Sequence, residues 1–350
     1  MTEQKYEDYW KLTLGFTDIY GANFHNYLKI IINFIDENNI TEQSYKSALY
    51  EQLQKIFQEI NPSKNDASIR KEINQFVKLG FIKHKLAGYH PKAKSFLKAN
   101  NEEQKIIFSE IVYNNAAFMS SVTKFSNENQ MNFLIKTLSY SGPLTKQDRI
   151  ALIYTDIPKQ KKDFLTRDEI EKYKKMALIS GFDTRKYNQI NYLTNILSNL
   201  TDVFLDNDKT LYLSEEDIPI NNFELEKRDP YLHRLYKASL KEESKQVYKK
   251  ELCYMEKLDY PSLVASHIKP FRNSRPNEQY DKDNGFLLSR GMDALFDKGY
   301  ISFSDEGNII LSNRLSNDVC EHLKNYSIDK KLLNENRLKY LKYNREHIFQ

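Results

Sequence analysis

Four residues in the last third of the chain carry types and spacings that suit chemistry: His267, Asn284, Asp293 and Asp297. They lie within LVASHIKPFRNSRPNEQYDKDNGFLLSRGMDALFDKGYI, residues 263–301. Residues four apart project from one face of a helix, so Asp293 and Asp297 would present two carboxylates in the same direction. Such a hard oxygen donor set suits Mg²⁺ or Mn²⁺, whereas zinc would want thiolate or imidazole. A neutral imidazole nearby, His267, would then take a proton from water near pH 7.

These side chains need elements to hold them. Val264 and Ala265 read as the end of a buried strand that carries His267 to its edge, and an Asp-Asn-Gly turn leads into a second short strand, Gly285 to Leu288. A helix of roughly two turns follows, with Ser289 placed to cap its start and Gly299 to end it. Leu295 and Phe296 would face a core while the two aspartates face away. Each residue alone is ordinary, since an Asp-Asn-Gly is usually a turn and exposed aspartates are common. Their joint order and spacing carry the argument.

That order resembles the HNH, or ββα-metal, nuclease motif. The resemblance implies that His267 is the general base, that Asn284 steadies the loop bearing it, and that Asp293, nine positions after the Asn, is the third motif residue. It also implies that Asp297 is the further metal-binding residue of colicin-type members. The phrases SHIKPF, NGFLLS and DALFDKGYISF look like the branch found in restriction-type endonucleases. Departures from the pattern have consequences. The positions where paired cysteines would hold zinc are Ser289 and Met292, so no structural zinc is expected. The residue before the base is Ser266 where many members have an Asp ligand, which makes Ser266 the candidate third protein contact to the metal. Lys269, Arg272, Arg275 and Arg290 surround the motif as candidate phosphate contacts.

With 350 residues, 40% of them apolar, the chain can bury two or three cores and is not a disordered tail. A net charge of +4 permits DNA binding without requiring it, because what matters is where the cations cluster. Cys253 and Cys320 make no disulfide framework, and a reducing cytoplasm is the simpler setting. The start, MTEQKYEDYW, has neither the basic nor the apolar part of a signal peptide, and no apolar run reaches the length of a membrane span.

The fold class expected is α+β and multidomain: a mostly helical N-terminal region with winged-helix-like modules, then a ββα-metal domain. Residues 1–140 would form the first DNA-recognition module. There a helix capped by Asp66 or Ser68 and closed near Gly80 leads to a strand at Phe81 and Ile82 and a turn through Ala87-Gly88, in the order of a winged helix. Lys83 and Lys85 would meet phosphates. Residues 141–222 would form a second module, with a capping box at Thr166 and Glu169, a helix start carrying Arg185 and Lys186, and a hairpin from Val203 to Leu213. Residues 223–350 would form the nuclease domain, with helical material from Asp229 to Leu258 and an apolar stripe at Leu232, Leu235, Tyr236 and Leu240.

The resemblance therefore implies a sequence-specific restriction endonuclease, methylation-sensitive or methylation-dependent, acting on double-stranded DNA with Mg²⁺ or Mn²⁺. A single site cuts one strand, so a homodimer is expected. Two alternatives stay open: a DNA-binding regulator with a degenerate nuclease domain, and a non-specific HNH nuclease.

Overall fold

The computed structural model describes residues 9–185, 187–214 and 228–350. The chain divides into two compact units, Met1–Ile218 and Pro219–Gln350. Position 140, the expected joint between the two recognition modules, falls inside the first of them.

The first unit is helical. Ala22–Glu37, Ser47–Ile60 and Asp66–Lys78 come first, and their apolar faces meet in an aromatic cluster in which the Phe24 and Phe76 rings lie 4.6 Å apart and Phe81 and Phe96 5.1 Å. Gln75 is fully buried, and its amide stitches an irregular segment to the third helix. Its oxygen accepts from the Gly15 and Phe16 amides and its nitrogen donates to the Phe16 carbonyl. That helix is capped by Asn65, whose side chain accepts from the Ser68 amide, and by neither expected residue. Asp66 is already its first helical residue, where its charge suits the positive end of the helix dipole. The expected strand at Phe81 and Ile82 shrinks to a single bridge between Ile82 and Tyr89 around a short 3₁₀ turn, His84–Leu86.

Further along, Thr166 and Glu169 do form a reciprocal capping box at the start of Arg167–Ile179. Val203–Leu205 pairs with Leu211–Leu213, and Leu144 adds a bridge to Leu211. Among the described residues no helix is long and apolar enough to cross a membrane.

The second unit is built around an antiparallel hairpin, Leu263–His267 with Gly285–Ser289, whose register sets Ser266 opposite Phe286 and His267 opposite Gly285. The short helix Arg290–Asp297 and the long helix Pro230–Tyr248 both pack against these strands. Phe286, Leu288, Phe296, Phe303, Leu240 and Tyr254 are all fully buried in the shared core. The long helix ends earlier than the sequence suggests. Lys249 adopts the left-handed conformation, and the chain leaves the helix for an irregular stretch and a turn in which the Tyr254 amide donates to the Leu287 carbonyl. Pairing with the hairpin edge wins over helix propensity there. A second hairpin, Ile301–Phe303 with Ile309–Leu311, and the helix Glu335–His347 complete the unit.

Candidate functional site

Strand Leu263–His267 delivers His267 to the rim of the core, where the residue is 7% exposed. Its Nε2 lies 2.8 Å from the Gln279 carbonyl oxygen. A carbonyl only accepts, so Nε2 carries the proton and Nδ1 keeps its lone pair, the form a base requires. Burial pushes the imidazole pKa down to about 4, the Gln279 carbonyl resists the fall, and the charges of Arg228 and His233 add to it. The ring is therefore neutral throughout the physiological range.

Asn284 is fully buried and holds the loop that follows the base. Its Oδ1 accepts from the Lys269 amide at 2.8 Å, while Nδ2 faces the Lys269 carbonyl, the Ser274 hydroxyl and the Glu278 carbonyl, each at 3.1 Å. Two carbonyls around one end and an N–H at the other fix the orientation of the amide. Asn344, from the last helix, donates to the Ile268 carbonyl and secures the start of the same loop.

Ser289 caps the motif helix by accepting from the Met292 amide, and Gly299 follows the helix with a φ of +72°. Phe296 is buried and Leu295 packs partly against the core, so Asp293 and Asp297 lie away from it, the first half-buried and the second exposed. Burial lifts the Asp293 carboxyl above its usual range; the Ser266 hydroxyl opposes this, the Asp297 charge adds to it, and Arg228 opposes it. Asp297 is the last residue of the helix, where the dipole disfavours a carboxylate.

Ser266 Oγ is buried and makes no hydrogen bond of normal geometry, although it stands near enough to Asp293 to draw that carboxyl down. A buried hydroxyl beside the Asp293 carboxyl, with the Asp297 charge felt at Asp293, offers oxygen donors of the kind a hard divalent cation takes. Among the described residues no three His, Cys, Asp or Glu side chains come together in a group that could hold a metal ion, so His267 does not join Asp293 and Asp297 in one. A sparse oxygen set of this kind suits Mg²⁺, which keeps several waters and shares its ligands with a substrate phosphate. Where paired zinc ligands would sit, Ser289 donates to Glu256 and Met292 is in the core. Cys253 and Cys320 are free thiols.

A family model described as HNH endonuclease matches residues 253–304. The second unit carries an HNH endonuclease domain. The match supports a DNA-cleaving hydrolase. No curated protein matches the chain at a significant level.

The basic residues expected to surround the HNH motif differ in their surroundings. Arg272, Arg275 and Arg290 are exposed. Lys269 is 2.6 Å from Glu278 of its own loop, and its ammonium lies 5.0 Å from the centre of the Tyr343 ring on the last helix. In the first unit Lys83 is exposed and Lys85 is 3.7 Å from Glu42, and both line a cavity of about 790 Å³. Lys186 and the side chain of Arg185 lie outside the described residues.

Three contributors went unread in the sequence. Tyr236, on the long helix, stacks on His267 and donates to the Asn284 carbonyl at 3.0 Å. The Gln279 carbonyl sets the tautomer of the base. Arg228 places its guanidinium 4.9 Å from the centre of the Phe271 ring, and its charge reaches both His267 and Asp293. The apolar stripe that includes Tyr236 was the one available signal, and it marked that residue as core.

Proposed function

We propose that this chain is a sequence-specific restriction endonuclease that hydrolyses phosphodiesters of double-stranded DNA with one divalent cation, Mg²⁺ or Mn²⁺. The observation that carries this reading is a buried, neutral His267 with its Nδ1 lone pair unprotonated, in an HNH domain whose motif helix presents two acids away from the core.

In this mechanism His267 Nδ1 takes a proton from water as the oxygen attacks phosphorus, and the bond from phosphorus to the 3′ oxygen breaks. The Gln279 carbonyl holds the ring by Nε2 and favours the imidazolium once it forms. Asn284 acts by keeping the loop from residue 268 to residue 279 in place. Asp293, Asp297 and Ser266 would hold the cation, which when bound offsets the charge growing on the phosphate and the departing oxygen. Arg272, Arg275 and Arg290 would grip flanking phosphates.

The first unit is the reader in this proposal. Helices followed by the hairpin Val203–Leu213, with Leu144 bridged to one of its strands, support a winged-helix-like module, as does the helix Asp66–Lys78 followed by the Ile82–Tyr89 bridge. Two copies related by a twofold axis would cut both strands of a palindromic site.

Digestion of methylated and unmethylated genomic DNA with Mg²⁺, Mn²⁺ or EDTA tests this reading. Discrete fragments with either metal and none with EDTA support it. A smear would make the protein a non-specific nuclease, and binding without cutting under every metal would make it a regulator.

A further inference from the structure

In the first unit the helix Asp66–Lys78 buries Ile69, Ile73, Phe76 and Val77 and leaves another stripe outside that core. Arg70, Lys71, Asn74 and Lys78 fall on that stripe at intervals of three, four and seven or eight residues. Chain from two other places closes on it, bringing Lys11 from the N-terminal segment and Lys124 from the loop after residue 117. Between them lies a cleft of about 350 Å³ lined by these five cations and Asn74, with no acidic residue on its wall among the described residues.

Hydrogen bonds hold the walls of the cleft in place. Asn74 Oδ1 accepts from the Val122 amide at 2.9 Å, and this anchors the loop that carries Lys124. Lys78 donates to the Lys11 carbonyl. Elsewhere in this unit Lys64, Lys92, Lys94, Lys136 and Lys174 each pair with a carboxylate. None of the five around the cleft forms an ion pair with a described acid. Burial, and then the charges of Lys11 and Lys124, push the Lys78 ammonium pKa down to about 8, so the empty cluster repels itself.

From Arg70 to Lys78 is roughly 12 Å along a helix that rises about 1.5 Å per residue. Cations spread over that length can meet successive phosphates of one DNA strand, which carry one charge per about 3.4 Å of duplex.

We propose that this cleft docks the phosphate backbone of double-stranded DNA, with the exposed Arg70, Lys71, Lys124 and Lys11 as its outward contacts and Lys78 beneath them. The proposal rests on the nuclease reading only for the choice of DNA as substrate. It adds where the first unit grips that substrate.

The test measures binding and cutting separately on the full-length chain. Duplex affinity is read by fluorescence anisotropy in EDTA across a salt series, for the wild type, for the triple variant Arg70→Ala, Lys71→Ala and Lys124→Ala, and for a control triple of exposed lysines outside the cleft, Lys29→Ala, Lys55→Ala and Lys98→Ala. The cleft triple should bind about tenfold or more weakly, and its slope of log affinity against log salt should fall by about two to three. The control triple should keep most of the affinity. Equal losses in the two triples, or an unchanged slope in the cleft triple, would overturn the proposal, as would displacement of the duplex by low-millimolar inorganic phosphate at constant ionic strength. Plasmid cutting with Mg²⁺ by the same wild-type preparation keeps the two readings apart: absent cutting with a lost slope refutes the nuclease and leaves the cleft standing, and the reverse pattern refutes the cleft alone.

Discussion

The imidazole of His267 lies almost face to face with the phenol ring of Tyr236, their centroids 4.7 Å apart and their planes 23° from parallel. The Tyr236 hydroxyl donates to the Asn284 carbonyl, so one side chain from the long helix touches the base and the residue that holds its loop. Replacing Tyr236 by Leu should slow turnover by about 10- to 100-fold with little change in KM, because alignment of the base is lost while substrate contacts stay. Tyr236→Phe keeps the stack and should lose much less. Steady-state kinetics on a short duplex separates them, and equal losses in both would assign the effect to the hydroxyl.

Gly285 makes room for that stack. It pairs with His267 across the hairpin in ordinary extended backbone at φ −147°, yet a Cβ there would come within 2.1 Å of Tyr236 Oη. Gly285→Ala should therefore cost about 1–3 kcal/mol through crowding alone. Adding Tyr236→Leu to it should recover part of the melting temperature, a coupling that two independent sites would not show.

Removing the Asn284 amide leaves a buried amide and two carbonyls without their partner. Asn284→Ala should lower stability by about 2–4 kcal/mol in urea denaturation. Hydrogen exchange should also speed up first at Lys269, whose N–H the side chain now accepts. Slower or unchanged exchange there would remove Asn284 from its role as the clamp of this loop.

Much of this site was legible from local pattern. The strand ends, the Ser289 cap, the Gly299 stop and the outward pair Asp293 and Asp297 follow from periodicity and capping rules, which act over a few residues. What could not be read depends on distant chain. Tyr236 meets His267 across 31 positions, a contact that helical periodicity reports only as burial. Gly285 looked like a turn residue, although its smallness matters for a ring from another element. Asn65 took the cap of its helix from two neighbours of equal propensity, a competition settled by backbone geometry. The cation cleft escaped notice because Lys11 and Lys124 join the helix stripe only after folding.

Acid should destabilise the protein through His267. Its folded pKa is about 4, against an unfolded value of 6.5. Above about 6.5 both states are neutral and the residue has no effect. As pH falls towards 4 only the unfolded state gains the proton, so stability drops by up to about 3 kcal/mol and then levels off. Comparing melting temperatures of the wild type and His267→Gln from pH 7 to pH 4 checks this, and the variant should fall less steeply. Parallel curves would mean that the imidazole titrates as an exposed one does.

Activation of the attacking water by His267 is read in single-turnover cleavage of supercoiled plasmid with Mg²⁺ by His267→Ala, alongside its affinity for the same DNA. Affinity should stay within about twofold of wild type while cleavage slows on the order of a thousandfold. Cleavage by His267→Ala at the wild-type rate would remove His267 from the role of base.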